Sequence, residues 1–300
     1  MQSLTDRLKS GEVIVGDGGW GTMIMQRGLK HGEAPETANL LRTDILAEIA
    51  GLYLDAGAEI ITTNTFGAST IRLHAASLDE QADEINRNGV KIIRQTVGER
   101  AYVSASVGPT GVLIAPYGVT KPEAVYASYE RQIRELLAAG PDMICVETMT
   151  DLQEAELAVC AARSLSATIP IMATMTFNEK PRGFFTIMGV TVEKAAKALE
   201  AAGADIVGSN CGNGIEKMIK IAGVFKEHTT LPIAIQANAG LPLMQEGQVV
   251  YPETPEFMAE KTEELLVIGV RIIGGCCGTT PDHIRALRKV VDAHRRKTSS

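Results

Sequence analysis

Aromatic side chains are scarce in this chain. One tryptophan, six tyrosines and six phenylalanines serve 300 residues, so any core is built from Ala, Ile, Leu, Val and Met. Basic charge is in deficit: the net charge is −7 and the pI near 5.4, without the basic patch that a nucleic-acid partner requires. Cysteine is rare and odd in number, five, which argues against a disulfide framework and for a reducing compartment. No apolar run approaches the roughly 18 residues of a membrane helix. The opening MQSLTDRLKSGEVIVGDGG carries Asp6, Arg7, Lys9 and Glu12 where a secretory signal has its apolar segment. A soluble cytoplasmic protein with no membrane partner is the expectation. With 45% hydrophobic and 22% charged residues, the composition is that of an ordinary globular chain, not of a disordered or fibrous one.

What is present is a repeated phrase. It reads DAGAEII at 55–61, AAGPDMI at 138–144, AAGADIV at 201–207 and VIGVRII at 267–273. Each copy closes a stretch of helical periodicity and opens a short Ile/Val-rich run, the pattern of a helix feeding a buried parallel strand. Gly57, Gly140, Gly203 and Gly269 fall where a helix ends in the left-handed conformation. Extending the reading places strands near 13–17, 59–64, 101–107, 142–147, 171–176, 205–210, 233–237 and 270–275. Helices fall near 43–56, 79–98, 121–139, 151–165, 191–202, 213–227, 255–268 and 281–296, with a short one near 21–28. Eight such units with no linker between them predict one (β/α)8 TIM barrel over residues 1–300. An open doubly wound sheet is the rival, but it calls for a Gly-rich nucleotide loop, and DGGWGT at 17–22 lacks the lysine and spacing of one.

Barrel chemistry sits at the C-terminal strand ends. Seven and eight residues beyond each repeated glycine come Asn64-Thr65, Glu147-Thr148, Asn210-Cys211 and Cys276-Cys277. The seventh strand ends with Asn238 at a similar level and the first with Asp17. Carboxylates, amides and three cysteines therefore share one rim. Neighbouring residues of a strand face opposite ways. Cys276 and Cys277 can meet one ion together with Cys211 only if the backbone leaves strand geometry, and Gly274, Gly275 and Gly278 supply that freedom. Three soft thiolates with a fourth position open are the pattern of catalytic Zn²⁺. Buried structural cysteines and a vicinal redox pair are the competing readings. Cys145, inside a strand, and Cys160, inside a helix, read as core; His283 reads as structural, and the basic end RRKTSS as solvated.

GGCCGTTPDHI at 274–284, SNC at 209–211, DGGWGT at 17–22, TNTF at 63–66, ETMTD at 147–151 and NAGLP at 238–242 together resemble the homocysteine S-methyltransferase family. The likeness runs from about residue 13 to 290 and is strongest to the homocysteine-binding barrel of the cobalamin-dependent methionine synthase branch. It implies zinc on Cys211, Cys276 and Cys277, and homocysteine as substrate with its amino group on Asp17 and Glu147. Thr65 joins these as a substrate contact, and Asn238 matches a residue that holds the fourth zinc position until the substrate thiol arrives. It further implies methyl transfer giving methionine, with methylcobalamin on a separate corrinoid protein as donor, since no D-x-H-x-x-G corrinoid signature occurs in the chain. Relatives using betaine, S-methylmethionine or S-adenosylmethionine are also single barrels and define the alternative donors. Other classes are a non-catalytic zinc- or thiol-binding regulatory barrel and a thiol/disulfide protein. Trp20 departs from the family, which commonly has a smaller or sulfur-containing residue there.

Overall fold

A computed structural model describes residues 2–29, 32–245 and 248–298. Eight strands build the central sheet: β1 (Ile14–Val15), β2 (Ile60–Thr62), β3 (Tyr102–Val107), β4 (Met143–Met149), β5 (Ile171–Met175), β6 (Ile206–Asn210), β7 (Ile233–Ala237) and β8 (Ile272–Gly275). All pair in parallel, in the order β1-β8-β7-β6-β5-β4-β3-β2, and a bridge between Gly16 and Ile60 brings β2 back to β1. The main helices alternate with them: α1 (Thr43–Asp55), α2 (Ala82–Val97), α3 (Pro122–Ala138), α4 (Leu152–Leu165), α5 (Val192–Ala202), α6 (Ile215–His228), α7 (Pro255–Ile268) and α8 (Pro281–Thr298). Every element of the predicted alternation is present, and the sheet nearly closes into a (β/α)8 barrel. The four repeated glycines have φ of +98°, +78°, +104° and +95°, the left-handed values the repeat implied.

Two features go beyond the periodicity. Antiparallel hairpins, Asn178–Lys180 with Gly183–Phe185 and Leu243–Gln245 with Gln248–Val250, rise from the loops after β5 and β7. The second lies in the long 239–254 segment, of which residues 246 and 247 fall outside the described residues. A short helix forms at Leu4–Lys9, where none is expected, while Trp20–Gln26 is the short helix expected near 21–28.

The barrel interior changes character along its axis. At the lower end Ile14, Ile60, Tyr102, Met143, Met172, Ile206, Ala234 and Ile272, one from each strand, pack with Cys145 and with Leu4 and Leu8 of the N-terminal helix. Moving up the strands two residues at a time keeps the same face. The inward stripe then becomes Thr62, Ser104, Ser106, Glu147, Thr174, Asn210 and Gln236. Apolar thus gives way to polar within roughly 7 Å, which is two residues of strand rise. Cys145 belongs to the core, as expected. Cys160 does not: it is exposed, because α4 buries Ala155, Ala158, Val159 and Ala162 and turns position 160 outward.

Closure between β1 and β2 rests on few backbone bonds, and Glu59 reinforces it. Its carboxylate receives Arg7 at 2.7 Å, Arg295 at 2.6 Å, Arg288 at 3.2 Å and the Val15 amide at 3.2 Å. The N-terminal helix, the seam and α8 are joined through this one group. Arg295 is therefore not part of a free basic tail; the ends of RRKTSS, residues 299 and 300, lie outside the described residues. Burial opposes the Glu59 charge, yet hydrogen bonds from Arg7 and Arg295 outweigh it and hold the carboxyl below its usual range. A group with a lowered folded pKa stabilises fully above its unfolded pKa, about 4.3, and loses that stabilisation as the pH falls below it. Glu59→Gln is expected to cost about 2–3 kcal/mol at pH 7, less than the roughly 3–5 kcal/mol of breaking a fully buried pair because the site is partly wet. Urea unfolding should show the wild type and the variant converging as the pH drops below about 4; equal stability at pH 7 would refute the role assigned to the seam.

Candidate functional site

Strand β8 ends at Gly275, and the chain turns at once through Cys276, Cys277 and Gly278. Gly278 has φ of +80°, and a Cβ there would meet the Tyr251 ring at 2.1 Å. Leaving strand geometry lets both cysteines face one point. Cys211 reaches the same point from β6 in a left-handed conformation, φ +59°. The Sγ atoms of Cys211, Cys276 and Cys277 all lie within 4.8 Å of one another, with Cys211 and Cys277 at 3.9 Å. Tyr251, from the long loop after β7, packs its ring against the cysteine turn at Gly278.

Three thiols this close cannot all ionise without a cation. Interaction with the Cys211 and Cys276 thiols pulls the Cys277 thiol well below its usual range. Its own two thiol neighbours, with burial, push the Cys276 thiol far up. For Cys211 the downward pull of Cys276 is outweighed by Cys277 and burial, which raise it to about 11. Among the described residues this is the one cluster of His, Cys, Asp or Glu with the spacing to hold a metal ion.

The cysteines form one wall of a cavity of about 370 Å³ at the C-terminal strand ends. Asp17 and Glu147 line it too. Asp17 is 1% exposed; its Oδ2 accepts from Trp20 Nε1 at 2.6 Å and from the Thr62 amide at 2.7 Å, and its Oδ1 from the Thr62 hydroxyl at 2.9 Å. Burial pushes its carboxyl up to about 6, against the pull of those bonds. Glu147 sits at a register shift in β4 and receives the Ser106 hydroxyl and, at 3.2 Å, the Asn210 amide. Burial, with Asp17 and Cys211 adding like charge, pushes it up to about 7 despite the Ser106 bond. The cavity therefore holds two carboxyls that a cationic group would recharge, facing three sulfurs.

Two residues sit differently from the register reading. Thr65 contributes nothing to the cavity. Its hydroxyl donates to the Ser106 carbonyl and its methyl faces Gly89 of α2, because the chain beyond β2 turns this side chain toward the helical layer. Thr62, Thr63 and Asn64 line the cavity instead. Asn238 is 4% exposed, its Oδ1 lacks a partner, and it precedes Ala239, whose amide donates to the Cys277 carbonyl. It stands beside the cysteine turn rather than on the cavity wall. His283 is structural: Nδ1 faces Thr280 and Nε2 faces the Glu253 carbonyl, tying the loop after β7 to α8. Thr62, Ser106 and Gln236 escaped the glycine ruler, although their inward parity on β2, β3 and β7 was readable. Tyr251 left no local signal, since its position depends on how the long loop folds back.

Comparison with known proteins agrees with this geometry. The homocysteine S-methyltransferase family model matches residues 14–291. The methionine synthase of Mycobacterium tuberculosis is 31% identical over 301 residues, covering 94% of this chain, and that of Mycobacterium leprae is 30% identical over 298 residues, covering 93%. The chain spans 25% and 24% of the length of these two relatives. Among solved structures, the metallated form of the homocysteine methyltransferase MmuM from Escherichia coli superposes with a TM-score of 0.78 at 22% identity, over 95% of this chain and 99% of that one, and shares the barrel. With a family model that runs from the first strand into the last helix, this chain belongs to the homocysteine S-methyltransferase family.

Proposed function

We propose that residues 1–300 act as a homocysteine-binding barrel that transfers a methyl group to the substrate sulfur, giving methionine, on a Zn²⁺ held by Cys211, Cys276 and Cys277. The observation that carries this reading is the convergence of three sulfurs within 4.8 Å in a cavity that also presents two carboxyls. The donor set fits the metal: soft thiolates suit Zn²⁺, and three protein ligands leave the fourth position for a substrate. Asn238, whose neighbour Ala239 bonds to the Cys277 carbonyl and whose buried Oδ1 lacks a partner, is the residue this reading assigns to that position before the thiol arrives. Bound Zn²⁺ supplies Lewis acidity, which lowers the substrate thiol from its free pKa of ~8.5 and keeps the sulfur nucleophilic at neutral pH.

The chain's own residues bind and orient. Asp17 and Glu147 oppose the substrate's ammonium with negative charge. Ser106 and Asn210 hold Glu147, and Thr62 holds Asp17, so the carboxylates are set before substrate arrives. No imidazole stands among the cavity-lining residues, and none is required if the thiol, its pKa lowered by coordination, gives its proton to solvent.

A methyl-corrinoid protein is the donor that suits the mouth best. Phe66, Leu113, Tyr117, Val119, Ile187 and Met244, from the loops after β2, β3, β5 and β7, are all exposed large hydrophobics. An apolar rim of this kind suits a macromolecular partner. A small donor such as betaine, S-methylmethionine or S-adenosylmethionine is the second reading, favoured by the MmuM structure, which matches a lone barrel over 99% of its length.

Three outcomes test these statements. The purified protein should carry about one zinc per chain, lost in Cys211→Ala without unfolding and kept in Cys160→Ala; full zinc in Cys211→Ala would remove the site. Glu147→Gln should weaken homocysteine binding about tenfold by calorimetry, with zinc retained, as expected for a charge-assisted bond worth roughly 1.5–3 kcal/mol; unchanged affinity would leave Glu147 without a binding role. Given homocysteine, the protein should demethylate methylcobalamin in a reaction that requires Cys277. Turnover only with a small sulfonium or ammonium donor would replace the corrinoid reading, and homocysteine binding with no methionine from any donor would make this a non-catalytic thiol-binding barrel.

A further inference from the structure

The site contains one tryptophan, the only one in the chain, and it is bonded to a carboxylate expected to meet the substrate. Trp20 and Asp17 both line the cavity. The indole cannot swing aside easily. Its ring rests on that of Tyr53, centroids 6.4 Å apart, and the Tyr53 hydroxyl donates to the Thr279 carbonyl at 3.1 Å, just beyond the cysteine turn.

The two carboxylates of the cavity are therefore unequal. Each oxygen of Asp17 is already engaged by the protein: Oδ2 by Trp20 and the Thr62 amide, Oδ1 by the Thr62 hydroxyl. Asp17 is also 1% exposed, so a ligand reaches it only by displacing a donor. Glu147 is partly exposed to the cavity, and its Oε2 has only the 3.2 Å contact from Asn210. A carboxylate offers about four acceptor positions and an ammonium brings three donors. Asp17 has three of these filled and Glu147 two, so the larger vacant capacity, and the exposed one, lies at Glu147.

We infer that Trp20 is a positioning and specificity-determining residue: its indole N–H occupies Asp17, leaving Asp17 as a fixed background charge and giving the contact with the substrate's ammonium to Glu147 alone. This rests on the homocysteine reading of the site. Removing the N–H while keeping an aromatic wall should free Asp17 to become a second ammonium partner.

The test is a calorimetric titration of the zinc-loaded protein with homocysteine at pH 8, applied to the wild type, Trp20→Phe, Asp17→Asn, the Trp20→Phe/Asp17→Asn double variant and Glu147→Gln in both backgrounds. Trp20→Phe is expected to bind at least threefold more tightly, and the gain should vanish when Asp17→Asn is added. Glu147→Gln should cost about tenfold in the wild type but less than threefold beside Trp20→Phe, because Asp17 then substitutes for it. Trp20→Met, which also lacks the N–H, should show the same gain and serves if the Phe variant fails to fold. Unchanged or weaker binding in a folded Trp20 variant, or a gain that survives Asp17→Asn, would overturn the inference. Absence of any homocysteine binding by the wild type would overturn the functional reading beneath it instead.

Discussion

Three thiols within 4.8 Å of one another, at the ends of two strands, set the terms for the rest of the mouth. Their closeness divides them, pulling the Cys277 thiol down and pushing those of Cys276 and Cys211 up. Bringing a cation among them ionises all three, so the cluster is a stronger ligand set than any single buried cysteine. The carboxylates opposite follow the same logic. Burial lifts Glu147 to about 7 and Asp17 to about 6, which leaves both ready to be recharged by a cationic substrate group.

The barrel makes this affordable by separating stability from chemistry along one axis. Its lower interior is apolar and plugged by the N-terminal helix, and its seam is stitched by Glu59 and three arginines. The upper interior can then carry Ser, Thr, Asn, Gln and Glu, most of them bonded across neighbouring strands. Asn210 illustrates the arrangement: it receives the Thr148 amide and the Thr174 hydroxyl, and donates to Glu147 and Thr148. Such a network fixes the carboxylate geometry before substrate arrives.

Much of this was legible in the sequence, because barrel units repeat. The glycines at 57, 140, 203 and 269 mark helix ends, and counting forward from them lands on the rim residues Glu147, Cys211, Cys276 and Cys277. Counting cannot tell which way a residue points once the strand has ended. Thr65 was misplaced for that reason: the chain has left β2, and its side chain packs against Gly89. The usual burial of cysteine likewise places Cys160 in the core, whereas the α4 face toward the sheet is already filled by alanines and Val159. The indole bond to Asp17, the packing of Tyr251 on the cysteine turn and the hairpins after β5 and β7 depend on loop paths that no local pattern encodes.

The most direct measurement of the central claim is X-ray absorption at the zinc edge, on the purified protein before and after homocysteine is added. The expected spectrum without substrate has three sulfurs at about 2.3 Å and one lighter ligand, and homocysteine replaces the lighter ligand with a fourth sulfur at a similar distance. A shell with fewer than three sulfurs, or one that homocysteine leaves unchanged, would contradict a substrate thiol bound beside Cys211, Cys276 and Cys277.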